Sequence, residues 1–105
     1  MRLFGCIKKS IFKKRYNITL HARKEMGLKE DDISEKDLIE AILNGEVIED
    51  YADDRPFPSC LIFGRTGVGR PIHAVCAYSE EDDMAVIITT YEPDMNRWIG
   101  HRRRI

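Results

Sequence analysis

Apolar positions near the start of the chain recur at helical spacing. Leu3, Phe4, Ile7, Ile11 and Phe12 fall near one side, while Lys8, Lys9, Lys13 and Lys14 fall mostly elsewhere. The spacing predicts a basic amphipathic helix over residues 3–15. Such a helix either docks on its own domain or meets a membrane surface or nucleic acid. Residues 17–20 read as a short strand or extended entry, and residues 21–29 as a helix interrupted by Gly27 and followed by an acidic loop. The clearest helix opens at Ser34, with Asp37 three positions on in a capping-box pattern. Leu38, Ile39, Ala41, Ile42 and Leu43 supply its buried stripe, and Asn44-Gly45 predicts a left-handed stop.

The period then changes from helical to alternating. Residues 46–51 read as extended. Residues 53–58 read as a loop, because Pro56 and Pro58 keep them out of a central strand. Strands are expected at 59–65, 70–78 and 84–91, joined by a Thr66-Gly67-Val68-Gly69 turn and an acidic tip at 79–83. Helices followed by an antiparallel meander make an α+β layout. If the tip sets Tyr78 opposite Met84, then Cys76 faces Val86 and Ala74 faces Ile88 on the face turned to the helices. If Arg65 faces Arg70, then Ile62 lies opposite His73 and Cys60 opposite Val75. The expected core is Leu38, Ile42, Leu61, Phe63, Cys76, Val86 and Ile88. The other sheet face then carries Cys60, His73, Thr89 and Tyr91. A one-residue slip would exchange the two sets.

A chain of 105 residues, with 43% hydrophobic and 33% charged positions, suits one globular domain and excludes collagen, coiled coil and membrane bundle. The net charge of −1 hides an uneven distribution. Residues 1–15 and 97–105 hold ten basic side chains and no acid. The body between them holds all 18 acids against 7 basic side chains, a net charge of −11. Basic ends can meet phosphate, an acidic partner or a membrane surface, or simply balance the acidic body. Cys6, Cys60 and Cys76 form no CxxC pair, so three reduced thiols in a cytoplasmic protein are expected. No signal peptide or transmembrane span is expected, since no apolar run approaches the required length.

Few residues suggest chemistry. His73 and Cys76 cannot share a metal on a strand, where positions i and i+3 point to opposite faces. The run Gly67-Val68-Gly69 is too short for a phosphate loop, and residues 80–83 lack calcium-loop spacing. No metal site or cofactor is expected. His21 stands where an extended entry becomes a helix, beside Arg23 and Lys24, and an imidazole there can move a proton near neutral pH. His73 with Tyr91 could provide a second proton-transfer group beside a phenol, and Arg65 could bind phosphate in bidentate fashion. The plainer alternatives are that His21 caps or packs at a helix start and His73 is a surface strand residue.

The segments Ile18-Thr19-Leu20-His21-Ala22-Arg23, Ile33-Ser34-Glu35, Ala41-Ile42-Leu43-Asn44-Gly45, Pro58-Ser59-Cys60-Leu61, Gly69-Arg70-Pro71-Ile72-His73 and Ile88-Thr89-Thr90-Tyr91-Glu92-Pro93 stand in an order that strongly resembles the DUF4258 domain family. The resemblance covers roughly residues 17–98. It leaves residues 1–16 as a basic arm or helix, 17–96 as the domain and 97–105 as an Arg-rich tail. The family is similar in layout to RelE/ParE-like and BrnT-like toxins of toxin–antitoxin pairs. That likeness implies N-terminal helices on one face of a small antiparallel meander, and metal-independent ribonuclease chemistry. It also implies an RNA substrate and a small antitoxin partner of zinc-finger or helix-turn-helix type. Within it, His21, His73 and Tyr91 are the candidates for proton transfer, and Arg23 and Arg65 for the phosphate charge. The family pattern has an Arg shortly after His-Ala, where this chain has Glu25. The alternatives are a non-catalytic protein-binding module on the same fold and a basic-ended nucleic-acid adaptor.

Overall fold

Ser34 does what its position demands. Its side chain accepts the backbone N–H of Asp37 at 3.0 Å and opens α3 (Glu35–Leu43), which buries Leu38, Ala41 and Ile42. The computed structural model describes residues 3–28 and 31–105. The expected helix end at Lys29 and the loop residue Glu30 lie outside the described residues, as does Arg2. The expected left-handed stop after α3 is not formed: Asn44 has φ −96° and Gly45 has no positive φ. Gly45 serves a close approach instead, since a Cβ there would lie 2.7 Å from Ile62 Cγ2.

Two helices precede α3. The first, α1 (Leu3–Phe12), buries Ile7, Ser10 and Ile11, but Phe12, placed on the apolar side by its spacing, is 79% exposed. A strand β1 (Tyr16–Ile18) follows, then α2 (Leu20–Met26). Thr19 caps α2 by accepting the Ala22 N–H at 3.1 Å, and its hydroxyl donates to the Ile88 carbonyl at 3.0 Å. One side chain thus starts the helix and ties it to the sheet. None of the described helices is long and apolar enough to cross a membrane.

The remaining strands are β2 (Glu46–Tyr51), β3 (Ser59–Arg65), β4 (Pro71–Ser79) and β5 (Met84–Tyr91), and the sheet order is β1-β5-β4-β3-β2. The fold is α+β, but the sheet is mixed. β1 runs parallel to β5, where only an antiparallel meander was expected. Three residues are too few to show a strand period, so β1 carried no signal of its direction.

Both hairpin registers differ from expectation by one residue. Ser79 faces Met84 and Arg65 faces Pro71. Cys60 therefore pairs with Cys76 and Ile62 with Ala74, and both pairs join the helix-facing core with Ile72, Ala85 and Ile87. Leu61 and Phe63 are buried, but on the opposite face. Val86 and Ile88 are only partly buried there and line a cavity with Pro56 and Phe57. The pairing shifts again between Val75 and Cys76, where Ile88 is the extra residue of a bulge. The shift gives Thr90 the core side, where its hydroxyl donates to the His73 carbonyl at 2.9 Å.

The expected tail is folded. Residues after Pro93 form a separate hairpin, β6 (Trp98–Ile99) and β7 (Arg103–Arg104), which is a second, two-stranded sheet. Gly100 (φ 59°) and His101 (φ 66°) make its turn, closed by Arg102 N–H to the Ile99 carbonyl at 3.2 Å. Two successive positive φ values suit the twist of a tight hairpin. This hairpin covers the sheet face that the helices leave open.

Candidate functional site

His73 lies under that hairpin and has no exposed surface. Its Nε2 is 2.6 Å from the His101 carbonyl. A carbonyl only accepts, so the proton sits on Nε2, and Nδ1 is left to accept from the Tyr91 hydroxyl at 3.4 Å. Trp98 meets the imidazole edge to face, with ring centroids 4.5 Å apart. The hairpin is clamped from outside by Arg104, which donates to both Glu49 oxygens at 2.7 and 3.1 Å, and by Arg102, which donates to Glu46 at 2.8 Å. The Arg102 and Arg104 guanidinium groups also lie over Phe63 and Trp98, at 4.8 and 4.7 Å from the ring centroids.

Sealed and doubly bonded, His73 cannot reach a substrate. The expectation that it transfers a proton gives way to a positioning role: it fixes the hairpin and the Tyr91 phenol. Burial lowers its pKa below the usual 6.5, so it is neutral. Below pH 6.5 the unfolded chain then binds a proton that the native state does not. Stability should fall on acidification from pH 6.5 to the native pKa, with a slope of at most about 1.4 kcal/mol per pH unit, and His73 should contribute no slope above 6.5. Urea titrations from pH 7.5 to 5 check this. His73→Gln should flatten that part of the curve.

Tyr91 is half-buried at a surface cavity of ≈ 380 Å³ lined also by Glu92, Asp94, Arg97, Trp98 and Arg104. Burial raises the phenol's pKa, so it holds its proton near neutrality. Glu92 is occupied by Arg70, whose Nε lies 2.9 Å away. Arg97 and Arg104 are the cations at this cavity. Both belong to the stretch read from sequence as a tail, so neither was singled out.

His21 stands on another element, on the exposed side of α2, with its side chain 67% accessible. Its Nε2 is 3.4 Å from Glu25 Oε1, one helical turn on. The Glu25 oxygen is itself held from β5: the Thr90 N–H donates to it at 3.0 Å, and so does the Thr89 hydroxyl. Glu25, where the resemblance implies an Arg, here lies against the imidazole. Its spacing of four from His21 was the available signal. Tyr91 lies two residues beyond Thr89, so the phenol and the His21–Glu25 pair flank the same end of β5, and the Glu25 charge acts on Tyr91.

The two arginines expected at a phosphate do not join this group. Arg23 is 3.8 Å from Glu35, in a groove beside α1, and Arg65 donates to the Gly69 carbonyl at 3.1 Å. Cys60 and Cys76 are free, buried register partners. Burial pushes the Cys60 thiol up to about 12 and raises Cys76 as well, so neither offers a ready thiolate. Among the described residues no three His, Cys, Asp or Glu side chains gather as a metal ion requires.

The family model for DUF4258, a domain of unknown function, matches residues 18–92. Neither the curated proteins nor the solved structures contain a match to the chain.

Proposed function

We propose, from the premise that the chain belongs to the DUF4258 family, that it is a toxin-like, metal-independent endoribonuclease of a toxin–antitoxin pair, RelE/BrnT-like in layout. The observation that carries this reading is the Glu25 carboxylate, bound by two donors from β5 and in contact with the exposed His21. An imidazole oriented by a fixed carboxylate is the arrangement a general base needs. With the Nε2 proton directed at Glu25, Nδ1 is free to take a proton from a ribose 2′-hydroxyl. That oxygen then attacks its own phosphate. The protonated Tyr91 phenol supplies a proton to the leaving 5′-oxygen, and Arg97 meets the phosphate charge.

A second reading, a non-catalytic module binding a basic protein, draws on the charge placement. Glu80, Glu81 and Asp82 stand exposed at the β4–β5 tip, an acidic patch that a basic partner would match. The third reading, a basic-ended adaptor, relies on the α1 lysines. Purified protein incubated with end-labelled RNA in excess chelator separates them. Cleavage leaving 2′,3′-cyclic phosphate ends, with growth arrest on expression relieved by a neighbouring gene's product, supports the nuclease. Intact RNA with no arrest rejects it in favour of a binding module.

A further inference from the structure

The geometry points to a docking groove between α1 and α3 for an acidic amphipathic helix of a partner protein, a surface separate from the proposed nuclease site. The groove measures ≈ 550 Å³. Its floor is Ile11, Ile39 and Leu43, and Phe12 stands on its rim with 79% of its surface exposed. Phe12 is the one large apolar residue of α1 that the domain's own core does not use, although its spacing puts it on the apolar side.

The occupant's chemistry follows from the walls. Lys14 and Arg23 edge the groove, and Lys36 shares the α3 face of Ile39 and Leu43 by its spacing of three and seven. The single acid of the lining, Glu35, is already engaged by the Tyr16 hydroxyl at 2.5 Å and by Arg23 at 3.8 Å. With Arg23 and Glu35 paired to each other, Lys14 and Lys36 leave the rim net cationic, which selects an acidic partner. The longer wall is the α3 face of Glu35, Ile39 and Leu43, two helical turns that one amphipathic helix matches with apolar anchors at i, i+3, i+4 and i+7.

The test uses two fluorescent peptides of about 15 residues, long enough for helical structure. Both carry Leu at positions i, i+3, i+4 and i+7. One has Glu and the other Lys at the remaining positions. Fluorescence anisotropy at low salt should show the acidic peptide binding at least about tenfold more tightly than the basic one. Phe12→Asp and Lys14→Asp should each weaken it about tenfold, with thermal melts unchanged. Aspartate is chosen at position 14 because the backbone there is left-handed (φ 64°), which Asp tolerates. Equal binding of the two peptides, no binding of either, or binding indifferent to Phe12→Asp would overturn the proposal. So would sedimentation showing a dimer that Phe12→Asp dissolves, since the occupant would then be a second copy.

Discussion

Replacing Gly64 by alanine is expected to destabilise the domain severely. Gly64 lies in β3 where α3 crosses the sheet. A Cβ there would meet the Ala41 carbonyl oxygen at 1.8 Å and its carbonyl carbon at 2.6 Å. Both are backbone atoms, so no rotamer change relieves the clash, and α3 must lift from the sheet. Lifting it uncovers Leu38, Ala41 and Ile42. Overpacking of a core usually costs 1–3 kcal/mol where side chains can give way. A backbone clash should cost more than about 3 kcal/mol, a large part of a stability of order 5–15 kcal/mol. Gly69→Ala is the control. Gly69 has φ 86° but open space around it, so only the backbone conformation is penalised, by about 1 kcal/mol. Urea midpoints of the two variants compare these costs directly. A Gly64→Ala protein as stable as the Gly69→Ala control would mean that α3 does not sit this close to β3.

Loss of the imidazole at position 21 should lower the RNA cleavage rate by 10²- to 10⁴-fold, the usual contribution of a positioned proton-transfer group. His21 is exposed and buries no core surface, so His21→Ala should melt like the parent protein. Glu25→Gln keeps an acceptor for the Thr90 N–H but removes the charge that orients the imidazole. It should reduce kcat about tenfold and leave KM unchanged, a split that a purely structural role would not produce. Tyr91→Phe should cut the rate less than His21→Ala. It also leaves His73 Nδ1 buried without its donor, at a cost of about 1–3 kcal/mol. Full activity in His21→Ala would discard the base assignment.

What the sequence revealed depended on how local each cause was. Ser34 and Asp37 fix the start of α3 within four residues, and the limits of β2, β3 and β5 follow from alternation bounded by turn residues. Register was not local. Thr66 to Arg70 closes through the Thr66 N–H donating to the Arg70 carbonyl and the Arg70 N–H donating to the Thr66 hydroxyl oxygen, a loop longer by one pairing step than the simplest turn. That step exchanged Cys60 and Ile62 with Leu61 and Phe63. The bulge at Ile88 then altered the alternation of β5. The fate of His73 was least legible. It is decided by His101, 28 residues away, and by a hairpin whose arginines read as a tail until Glu46 and Glu49 are seen beside them. His21 was legible as a helix-start histidine, but its exposure was not, and Glu25 was not read as its partner although the spacing of four was there to read.

The C-terminal hairpin also separates two units that are easily equated. The stretch shared with the family ends at residue 92, yet Trp98 and His101, which seal Phe63 and His73, come after it. At the other end, Ile7 and Ile11 enter the common core from before residue 18. The inherited segment is thus shorter than the cooperative one. A fragment trimmed to residues 18–92 would present a bare aromatic sheet face and a core missing two isoleucines. Assays of the family's chemistry in this chain therefore need the flanking residues, which supply packing on both sides of the sheet and, through Arg97 and Arg104, the cations beside Tyr91.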